Sequence, residues 1–333
     1  MAYELERDLH HVLAHSAGLW EPLRGKNLFV TGATSFVGRW LIESFVWANR
    51  QLELKARMFV LTRDQQSFTK SRPLCTVDKS IEILRGDIKT ITFPEAEFRF
   101  IIHAAYEDSP RPVAANAEGT RRVLELAKTR GTGRLLYASS GAVYGEQPAE
   151  TELMAEDTIG ATGGVTGYAE AKRESEAQCL RASDAKLGVV IARLFTFIGP
   201  YLPVDRNYAV GNFVRDARLA GPIRIEGDGT PLRSYLYAAD VAIWLWTLLI
   251  KGTAGRAYNV GSDQALSILD LAKRVERVCG VKRGISVAQQ AVPGAQPKRY
   301  VPSIARARTE LGLQPWIGLE EGIRRMFSWH DSP

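Results

Sequence analysis

Cysteine is scarce in this sequence. The chain of 333 residues contains three cysteines, Cys75, Cys179 and Cys279. They are odd in number and far apart, which suits neither a disulfide framework nor the close spacing of a zinc cluster. We therefore expect ordinary thiols and no metal site.

Long apolar stretches are also absent. The longest nearly uninterrupted one runs from Ala242 to Ile250, far short of the roughly 20 residues that cross a bilayer as a helix. The N-terminus begins with charged residues such as Glu4 and Arg7 and lacks the basic and apolar segments of a secretory signal. The sequence predicts a cytoplasmic protein without a transmembrane helix or a membrane partner.

Charge is mixed rather than gathered into runs. The sequence has 43 Lys and Arg against 37 Asp and Glu, a net charge of +6, and its isoelectric point is near 9.2. Because the basic residues are scattered, no nucleic-acid partner is expected. The positive excess favours phosphorylated small molecules as ligands, although a solvated surface without a binding role explains it equally well.

The chain does contain a regular alternation of short apolar segments and helical patterns from Lys26 to Ala192. Strands that alternate with helices predict a parallel sheet covered by helices. We predict an α/β fold, a Rossmann-like doubly wound parallel sheet with a smaller, interleaved C-terminal α/β lobe. The predicted larger domain spans 1–195 plus about 236–262, with an N-terminal helical cap, and the lobe spans 196–235 and 263–330.

The first predicted strand leads directly into a glycine-containing turn, Thr31-Gly32-Ala33-Thr34-Ser35-Phe36-Val37-Gly38, that opens a helix. A small residue is needed where the backbone turns and approaches a pyrophosphate, and the helix N-terminus offers free N–H groups to that anion. A tight strand-to-helix turn without a ligand is the alternative. We predict a dinucleotide-binding turn whose cofactor contacts are Gly32, Thr34, Ser35, Phe36 and Val37, with the Ser35 hydroxyl as a candidate phosphate donor.

The second strand ends in Thr62, Arg63 and Asp64, where a dinucleotide fold usually contacts the adenosine ribose. An acidic residue at the strand tip favours NAD, whereas an arginine pairs with the additional phosphate of NADP. Thr62 occupies the tip and Arg63 follows, so the sequence favours NADP with Arg63 as its phosphate contact. NAD is the alternative, in which case Arg63 is a surface charge.

A candidate catalytic group lies in the middle of the chain. Tyr168 and Lys172 are four residues apart on a predicted helix, so they share one face, and the ammonium can lower the phenol pKa. Ser140 ends the preceding strand and can hold a carbonyl oxygen while Tyr168 donates a proton to it. A surface helix pair is the alternative for Tyr168 and Lys172 alone. Together with the glycine turn, the pattern predicts hydride transfer to a carbonyl.

These motifs resemble the extended short-chain dehydrogenase/reductase superfamily, in the branch called NAD-dependent epimerase/dehydratase. The glycine turn is similar to its Thr-Gly-x-x-Gly-x-x-Gly turn, with Ser35 at the middle glycine. Further similarities are Asn116-Ala117-Glu118-Gly119-Thr120 and the segment from Arg193 to Pro200, in which Thr196 replaces the usual asparagine. The resemblance covers nearly the whole chain and implies a homodimer that binds a nucleotide sugar.

The resemblance also implies roles for residues that spacing alone does not assign. On the cofactor side these are Asp87, Ile88, Ala104 and Ala105. On the substrate side, Arg233 would bind the diphosphate of the nucleotide sugar, Thr196 would lie in the substrate cleft, and Arg299 would be a second phosphate contact. Asn212 and Asn259 would contact the nucleotide, although loop capping or surface positions are the alternative.

Three reactions are common in the family: 4,6-dehydration, 4-epimerisation and reduction of a 4-keto sugar. Dehydratases carry an Asp-Glu pair directly after the active-site hydroxyl, and Gly141 and Ala142 cannot replace it. Because Arg63 favours NADPH, the leading hypothesis is a 4-ketoreductase of a nucleoside-diphosphate (deoxy)hexulose. A 4-epimerase with tightly bound NAD is the alternative, followed by a non-catalytic NADP-binding sensor. Thr162 to Val165 are expected to shape substrate specificity.

Overall fold

The computed structural model describes residues 5–70, 78–158, 167–206 and 208–331. Cys75 and the expected specificity segment from Thr162 to Val165 lie outside the described residues. The α-helices are α1 Leu5–His15, α2 Phe36–Gln51, α3 Gln65–Lys70, α4 Pro112–Thr129, α5 Gly167–Ala182, α6 Ala209–Arg218, α7 Ala238–Lys251, α8 Ile268–Val278, α9 Ala305–Leu311 and α10 Leu319–Asp331, with 3₁₀ helices at Glu21–Leu23 and Gly141–Tyr144. The strands are β1 Asn27–Thr31, β2 Arg57–Thr62, β3 Ile81–Arg85, β4 Phe100–His103, β5 Arg134–Ser140, β6 Gly188–Leu194, β7 Phe197–Ile198, β8 Ile223–Ile225, β9 Leu232–Arg233, β10 Leu236–Tyr237, β11 Arg256–Val260, β12 Leu266–Ser267, β13 Ile285–Val287 and β14 Arg299–Tyr300.

The centre of the fold is a parallel seven-stranded sheet in the order β11-β6-β5-β4-β1-β2-β3. The order reverses between β1 and β4, and in doubly wound sheets the ligand crevice lies at such a switch point, at the carboxyl ends of the strands. The predicted Rossmann-like fold is confirmed.

Both faces of the sheet are covered by helices, as the alternation of side chains along β1 shows. Leu28 and Val30 are buried in one core with the apolar faces of α2 and α7. Phe29, between them, points into a second core that includes Val123 of α4 and Cys179 of α5. Since successive strand residues face opposite sides of a sheet, apolar residues in an unbroken run are what a doubly covered sheet requires.

The remaining strands form three small sheets: β7 with β10, β8 with β13, and β9 between β12 and β14. The chain enters this part after β6, returns to the central sheet for β11, and leaves it again. The proposed boundaries of the two domains stay a prediction.

Helix α1 caps the core through buried polar contacts. Its Asp8 is hydrogen-bonded to Tyr237 and Arg325, and Nε2 of His11 lies 2.9 Å from Oδ1 of Asp240 at the start of α7. These contacts tie the N-terminal helix to elements from the other end of the chain. Within the described ranges, no helix combines the length and the apolar character that a membrane crossing requires.

Candidate functional site

The turn after β1 brings two backbone segments into close contact. Gly32 has a φ of +75°, and a Cβ at this position would lie 2.3 Å from the carbonyl carbon of Ala104 at the end of β4. Only glycine fits this conformation and this approach. The turn and the tip of β4 therefore form a shallow cradle in front of α2, which suits a bound pyrophosphate.

Ser35 has a different role from the one the sequence suggested. Its hydroxyl accepts a hydrogen bond from the Gly38 N–H at 3.0 Å and donates to the Gly32 carbonyl at 2.8 Å. Ser35 is the N-cap of α2, so its hydroxyl proton is already used within the turn. Donation from this hydroxyl to a phosphate would require that bond to break, and the contact of Ser35 with the cofactor stays a prediction. The N–H groups of Phe36 and Val37, in the first turn of α2, are the donors that an N-terminus leaves for an anion.

The tips of β2 and β3 form a basic groove of about 780 Å³. Arg63 and Asp64 border this groove together with Arg85, a residue that the sequence analysis missed. Arg85 is the register partner of Thr62 in the parallel pair of β2 and β3. Arg85 ends β3 as Thr62 ends β2, and its position directly after an apolar segment was a signal that the sequence offered. The site thus offers two guanidinium groups where one was expected.

The other residues predicted on the cofactor side are placed near the strand tips. Asp87 accepts a hydrogen bond from the Lys89 N–H at 2.9 Å, and Ile88 is half-buried next to it. The Ala105 N–H donates to Thr31 Oγ1 at 3.2 Å, which fixes the backbone beyond β4. Thr34 is exposed in the turn.

A cleft of about 630 Å³ lies at the carboxyl ends of the central strands. It brings together nine of the predicted site residues: Ser35, Phe36, Val37, Ala104, Ser140, Tyr168, Lys172, Thr196 and Arg233. Residues from the glycine turn, the predicted catalytic group and the smaller lobe therefore line one continuous space.

Tyr168 lies in the first turn of α5, is 38% exposed and lines the cleft together with Ser140. Burial raises the pKa of the Tyr168 phenol, and the neighbouring Ser140 hydroxyl offsets part of this effect. The prediction that the phenol has a lowered pKa is therefore wrong. A nearby ammonium does lower the pKa of a phenol, but here the desolvation of the phenolate outweighs the contacts that stabilise it.

Lys172 is buried one helical turn after Tyr168. Its Nζ donates to the Ala138 carbonyl at 2.8 Å, and it lies 5.0 Å from the ring centre of Tyr137 and 5.6 Å from that of Tyr106. Burial lowers the pKa of Lys172 to about 8. The ammonium is thus positioned by a strand carbonyl and two aromatic faces and remains charged at neutral pH.

Two tyrosines that the sequence analysis did not select border the same cleft. Tyr106 follows Ala105 directly, and its ring packs edge-on against that of Tyr168 with centres 4.7 Å apart. Tyr208 precedes α6 and also lines the cleft. Tyr106 could have been predicted from the sequence, because it lies at the tip of β4. No sequence pattern indicates that Tyr208 lines the cleft.

Arg233 reaches the cleft from β9. It is half-buried, donates to the Leu232 carbonyl at 2.8 Å and lies 5.8 Å from the ring centre of Tyr300. Burial lowers the pKa of Arg233, yet a guanidinium keeps its charge in proteins. Thr196 also lines the cleft, but its hydroxyl is hydrogen-bonded to the Ser234 carbonyl. Arg233 is therefore the substrate-side group with the clearest capacity to bind an anion.

Three of the predicted substrate residues are not brought to the lining of this cleft. Asn259 is fully buried: its amide donates to the carbonyls of Met154 and Ser303 at 2.8 and 3.0 Å, and its oxygen accepts from the Tyr144 hydroxyl at 2.7 Å. These bonds use the donors and the acceptor of the amide, so Asn259 holds the core together. Asn212 accepts from Arg215 at 3.4 Å. Arg299 is half-buried in β14, beside Leu232.

Comparisons with known proteins identify the family of this chain. The family model described as NAD dependent epimerase/dehydratase family matches residues 28–261. UDP-glucuronic acid decarboxylase 1 of Arabidopsis thaliana is 28% identical over 313 residues, covering 90% of this chain and 69% of the relative. Its namesake in Xenopus tropicalis is 26% identical over 312 residues, covering 90% of this chain and 71% of the relative.

Solved structures share the fold. A dTDP-glucose 4,6-dehydratase from Bacillus anthracis in complex with NAD has a TM-score of 0.76 at 20% identity, covering 92% of this chain and 96% of that one. A mutant form of UDP-glucuronic acid 4-epimerase from Bacillus cereus has a TM-score of 0.77 at 22% identity, with coverage of 92% and 99%.

The family match spans the strand tips and the catalytic group, and it confirms both the predicted family and the prediction of an enzyme with a nicotinamide cofactor. This chain belongs to the NAD-dependent epimerase/dehydratase family, within the extended short-chain dehydrogenase/reductase superfamily.

Proposed function

We propose that the protein is an NADPH-dependent 4-ketoreductase of a nucleoside-diphosphate (deoxy)hexulose. The observation that carries this proposal is that Tyr168 and Ser140 line the same cleft, which extends from the glycine turn to Arg233, with Lys172 buried one turn away. A phenol and a hydroxyl that converge in this way can donate a proton and a hydrogen bond to one carbonyl oxygen, which reduction of a ketone requires.

Tyr168 is the proton donor in this reaction. Because the pKa of its phenol lies above the ordinary value, the group is protonated at neutral pH and can transfer its proton as the substrate oxygen gains negative charge. Ser140 holds the same oxygen by a hydrogen bond. The positive charge of Lys172 stabilises the phenolate that remains. The glycine turn, Tyr168 and Lys172 would hold a nicotinamide cofactor in the cleft, and this group would supply the hydride for the carbonyl carbon.

Arg233 supports a nucleotide sugar as the substrate. A guanidinium has five N–H donors, so its single bond to a backbone carbonyl leaves donors for the two-pronged contacts that diphosphates favour. The named relatives and neighbouring structures include proteins for UDP-glucuronic acid and dTDP-glucose, which supports the same substrate class here. Arg299, one strand away, is a proposed second contact.

Dehydration is not supported by the lining of the cleft. Elimination of water needs its own acid and base, and within the described part of the chain no Asp or Glu lines this space. Gly141 and Ala142, which follow the Ser140 hydroxyl, carry no titratable group.

The basic groove at the tips of β2 and β3 supports NADP. Arg63 and Arg85 can both reach a phosphate on the adenosine ribose, and two guanidinium groups at one edge favour a dianion over a neutral hydroxyl. A cofactor that must be replaced at every turnover fits a net reduction.

The second candidate function is that of a 4-epimerase, in which NAD stays bound while the sugar is oxidised and then reduced again. It is favoured by Asp64, which borders the same groove and can accept hydrogen bonds from ribose hydroxyls, and by the NAD bound in a neighbouring structure. The same group of Ser140, Tyr168 and Lys172 would serve it. A homodimer and a cytoplasmic location are further proposals from the family resemblance.

Analysis of bound nucleotide separates the two candidates. The purified protein is denatured and its nucleotides identified by chromatography, and NADPH oxidation is then followed with UDP- or dTDP-linked 4-keto-6-deoxyhexuloses. The reductase predicts little retained nucleotide and oxidation of NADPH that depends on the keto sugar. One NAD per chain that survives dialysis, together with interconversion of 4-epimers without added cofactor, would establish the epimerase instead.

A further inference from the structure

Tyr106 enters the cleft from a backbone segment that is anchored on both sides. It is half-buried, follows the tip of β4 and lines the cleft. The residue before it, Ala105, donates its N–H to Thr31 Oγ1 at 3.2 Å. The residue after it, Glu107, exchanges two hydrogen bonds of 2.9 Å with the side-chain amide of Asn116 in α4. The backbone that bears the Tyr106 ring is therefore fixed by the fold.

The Tyr106 ring contacts both members of the proposed catalytic pair of Tyr168 and Lys172. Lys172 Nζ lies over the ring, 5.6 Å from its centre. The Tyr168 ring packs against it at an interplanar angle of 71°, with ring centres 4.7 Å apart. Both distances are within the range in which aromatic rings attract cations and each other. One side chain thus touches the ammonium and the phenol that act together on the substrate oxygen.

Lys172 depends on such contacts because it is only 4% exposed. Burial lowers its pKa to about 8, since a charged group loses hydration in the interior. On the core side, Nζ donates to the Ala138 carbonyl at 2.8 Å and lies 5.0 Å from the ring centre of the buried Tyr137. On the cleft side, the Tyr106 ring covers it. The electron-rich face of an aromatic ring partly replaces the lost hydration of a cation.

The Tyr106 phenol is neutral in this arrangement. Burial, the charge of Asp108 and the Tyr168 phenol raise the pKa of Tyr106 above its ordinary value, so the hydroxyl stays protonated at neutral pH. Lys172 therefore meets the face of a neutral ring rather than a phenolate. The contribution of a ring face is kept when the hydroxyl is removed, and it is lost when an aliphatic side chain replaces the ring.

From these contacts we infer that Tyr106 is a positioning residue, whose ring stabilises the Lys172 ammonium from the cleft side and restrains the plane of the Tyr168 phenol. Tyr168 is 38% exposed, so a ring packed across it limits how far the phenol can turn away from the substrate oxygen. The inference deepens the proposed function and rests on it for its catalytic consequence. The stabilisation of Lys172, however, is a property of the protein itself and can be measured without turnover.

The test titrates Lys172 by NMR in protein labelled with ¹³C at lysine Cε, with the Lys172 signal identified by its loss in Lys172→Met. Tyr106→Phe, its analogues with one, two or three fluorines on the ring, and Tyr106→Leu are compared with the wild type. Fluorine withdraws electron density from the ring face with little change in size, so the Lys172 pKa should fall stepwise with fluorine content. Tyr106→Phe should leave this pKa nearly unchanged, and Tyr106→Leu should lower it by roughly 0.4 to 1.5.

Tyr208→Leu is the matched control. Tyr208 also lines the cleft, but Lys172 lies over the rings of Tyr106 and Tyr137, so its titration should not change in this variant. A Lys172 pKa that does not fall with fluorine content at position 106 would overturn the inference, because the ring would then act only by filling space.

Kinetics give a second readout. We expect Tyr106→Leu to lower kcat roughly 10-fold with little change in KM, whereas Tyr106→Phe should keep kcat within about 3-fold of the wild type because it keeps the ring face. Equal losses in the two variants would contradict the inference, since the hydroxyl rather than the ring face would then be the active part. If the wild type turns over no 4-keto nucleotide sugar, the proposed function fails, whereas the titration still decides the role of Tyr106.

Discussion

The two halves of the cleft are built in different ways. On the cofactor half, Ser35, Phe36 and Val37 follow one another in a single turn, and Ala104 lies directly after the neighbouring strand β4. On the substrate half, Thr196 and Arg233 come from separate short strands, and Tyr208 comes from the start of α6. The first half depends on local sequence, whereas the second depends on how distant segments pack. Short sequence motifs therefore predict the position of the cofactor half more reliably than they predict which substrate the other half binds.

Tyr168 lies where the two halves meet, and its loss has the largest expected effect. Tyr168→Phe removes the proton donor and should lower kcat by roughly 10³-fold or more while cofactor affinity changes little. Initial rates and cofactor binding followed by fluorescence check this result. Near-normal turnover in the variant would break the assignment of the catalytic centre.

The substrate half is tested by comparing Arg233→Met with Arg299→Met. Both substitutions remove a guanidinium from neighbouring strands, but only the first changes a residue that lines the cleft. We expect Arg233→Met to raise KM for the nucleotide sugar roughly 10- to 100-fold with a smaller effect on kcat, as for a lost charge-assisted contact. Arg299→Met should have a smaller effect. The reverse order would show that the diphosphate lies nearer β14.

Lys172 links function to stability. Its pKa of about 8 against an ordinary 10.5 means that the buried charge opposes folding at neutral pH. Lys172→Met should abolish most activity yet raise the free energy of unfolding by about 2 kcal/mol, after the loss of the hydrogen bond to Ala138 is subtracted.

The sign of this effect depends on pH. The folded protein releases the Lys172 proton near pH 8, whereas the unfolded chain keeps it to about 10.5. Wild-type stability relative to the variant should therefore rise between these values. The advantage of Lys172→Met should be constant below pH 8 and be lost by pH 10.5, where only the missing hydrogen bond to Ala138 distinguishes the variant. Urea unfolding at pH 7 and 10 measures it. An equal difference at both pH values would show that the buried charge is not its cause.

The smallest expected effect concerns the cofactor half. Arg63→Ala should raise KM for NADPH about 10-fold and leave that for NADH nearly unchanged, because the lost contact is to the additional phosphate. Arg85→Ala is the companion variant and should act in the same direction. A parallel loss with both cofactors would mean that Arg63 supports the fold or the pyrophosphate rather than selecting NADP.

The sequence predicted the central sheet because it depends on short-range patterns, and the proposed catalytic group of Ser140, Tyr168 and Lys172 rests on patterns of the same kind. The alternation from Lys26 to Ala192 corresponds to the strands β1 to β6 and the helices between them. Asn259 shows the limit of prediction from short motifs. Its motif resembled that of the family, yet its hydrogen-bond partners Met154 and Ser303 lie far away in the chain. The pKa of Tyr168 was misjudged for the same reason, because spacing identifies Lys172 as a neighbour but does not reveal burial.

The most direct test of the proposed chemistry is transfer of deuterium from NADPH labelled at C4 of the nicotinamide. The protein is incubated with each stereospecifically labelled form and a nucleoside-diphosphate 4-keto-6-deoxyhexulose, and the product sugar is analysed by mass spectrometry and NMR. The reductase predicts one deuterium at C4 of the sugar from one of the two labelled forms, at a rate that falls with Tyr168→Phe. A reduced sugar without deuterium would contradict the reductase. The formation of no reduced sugar, while retained NAD cycles between its oxidised and reduced forms, would contradict it as well.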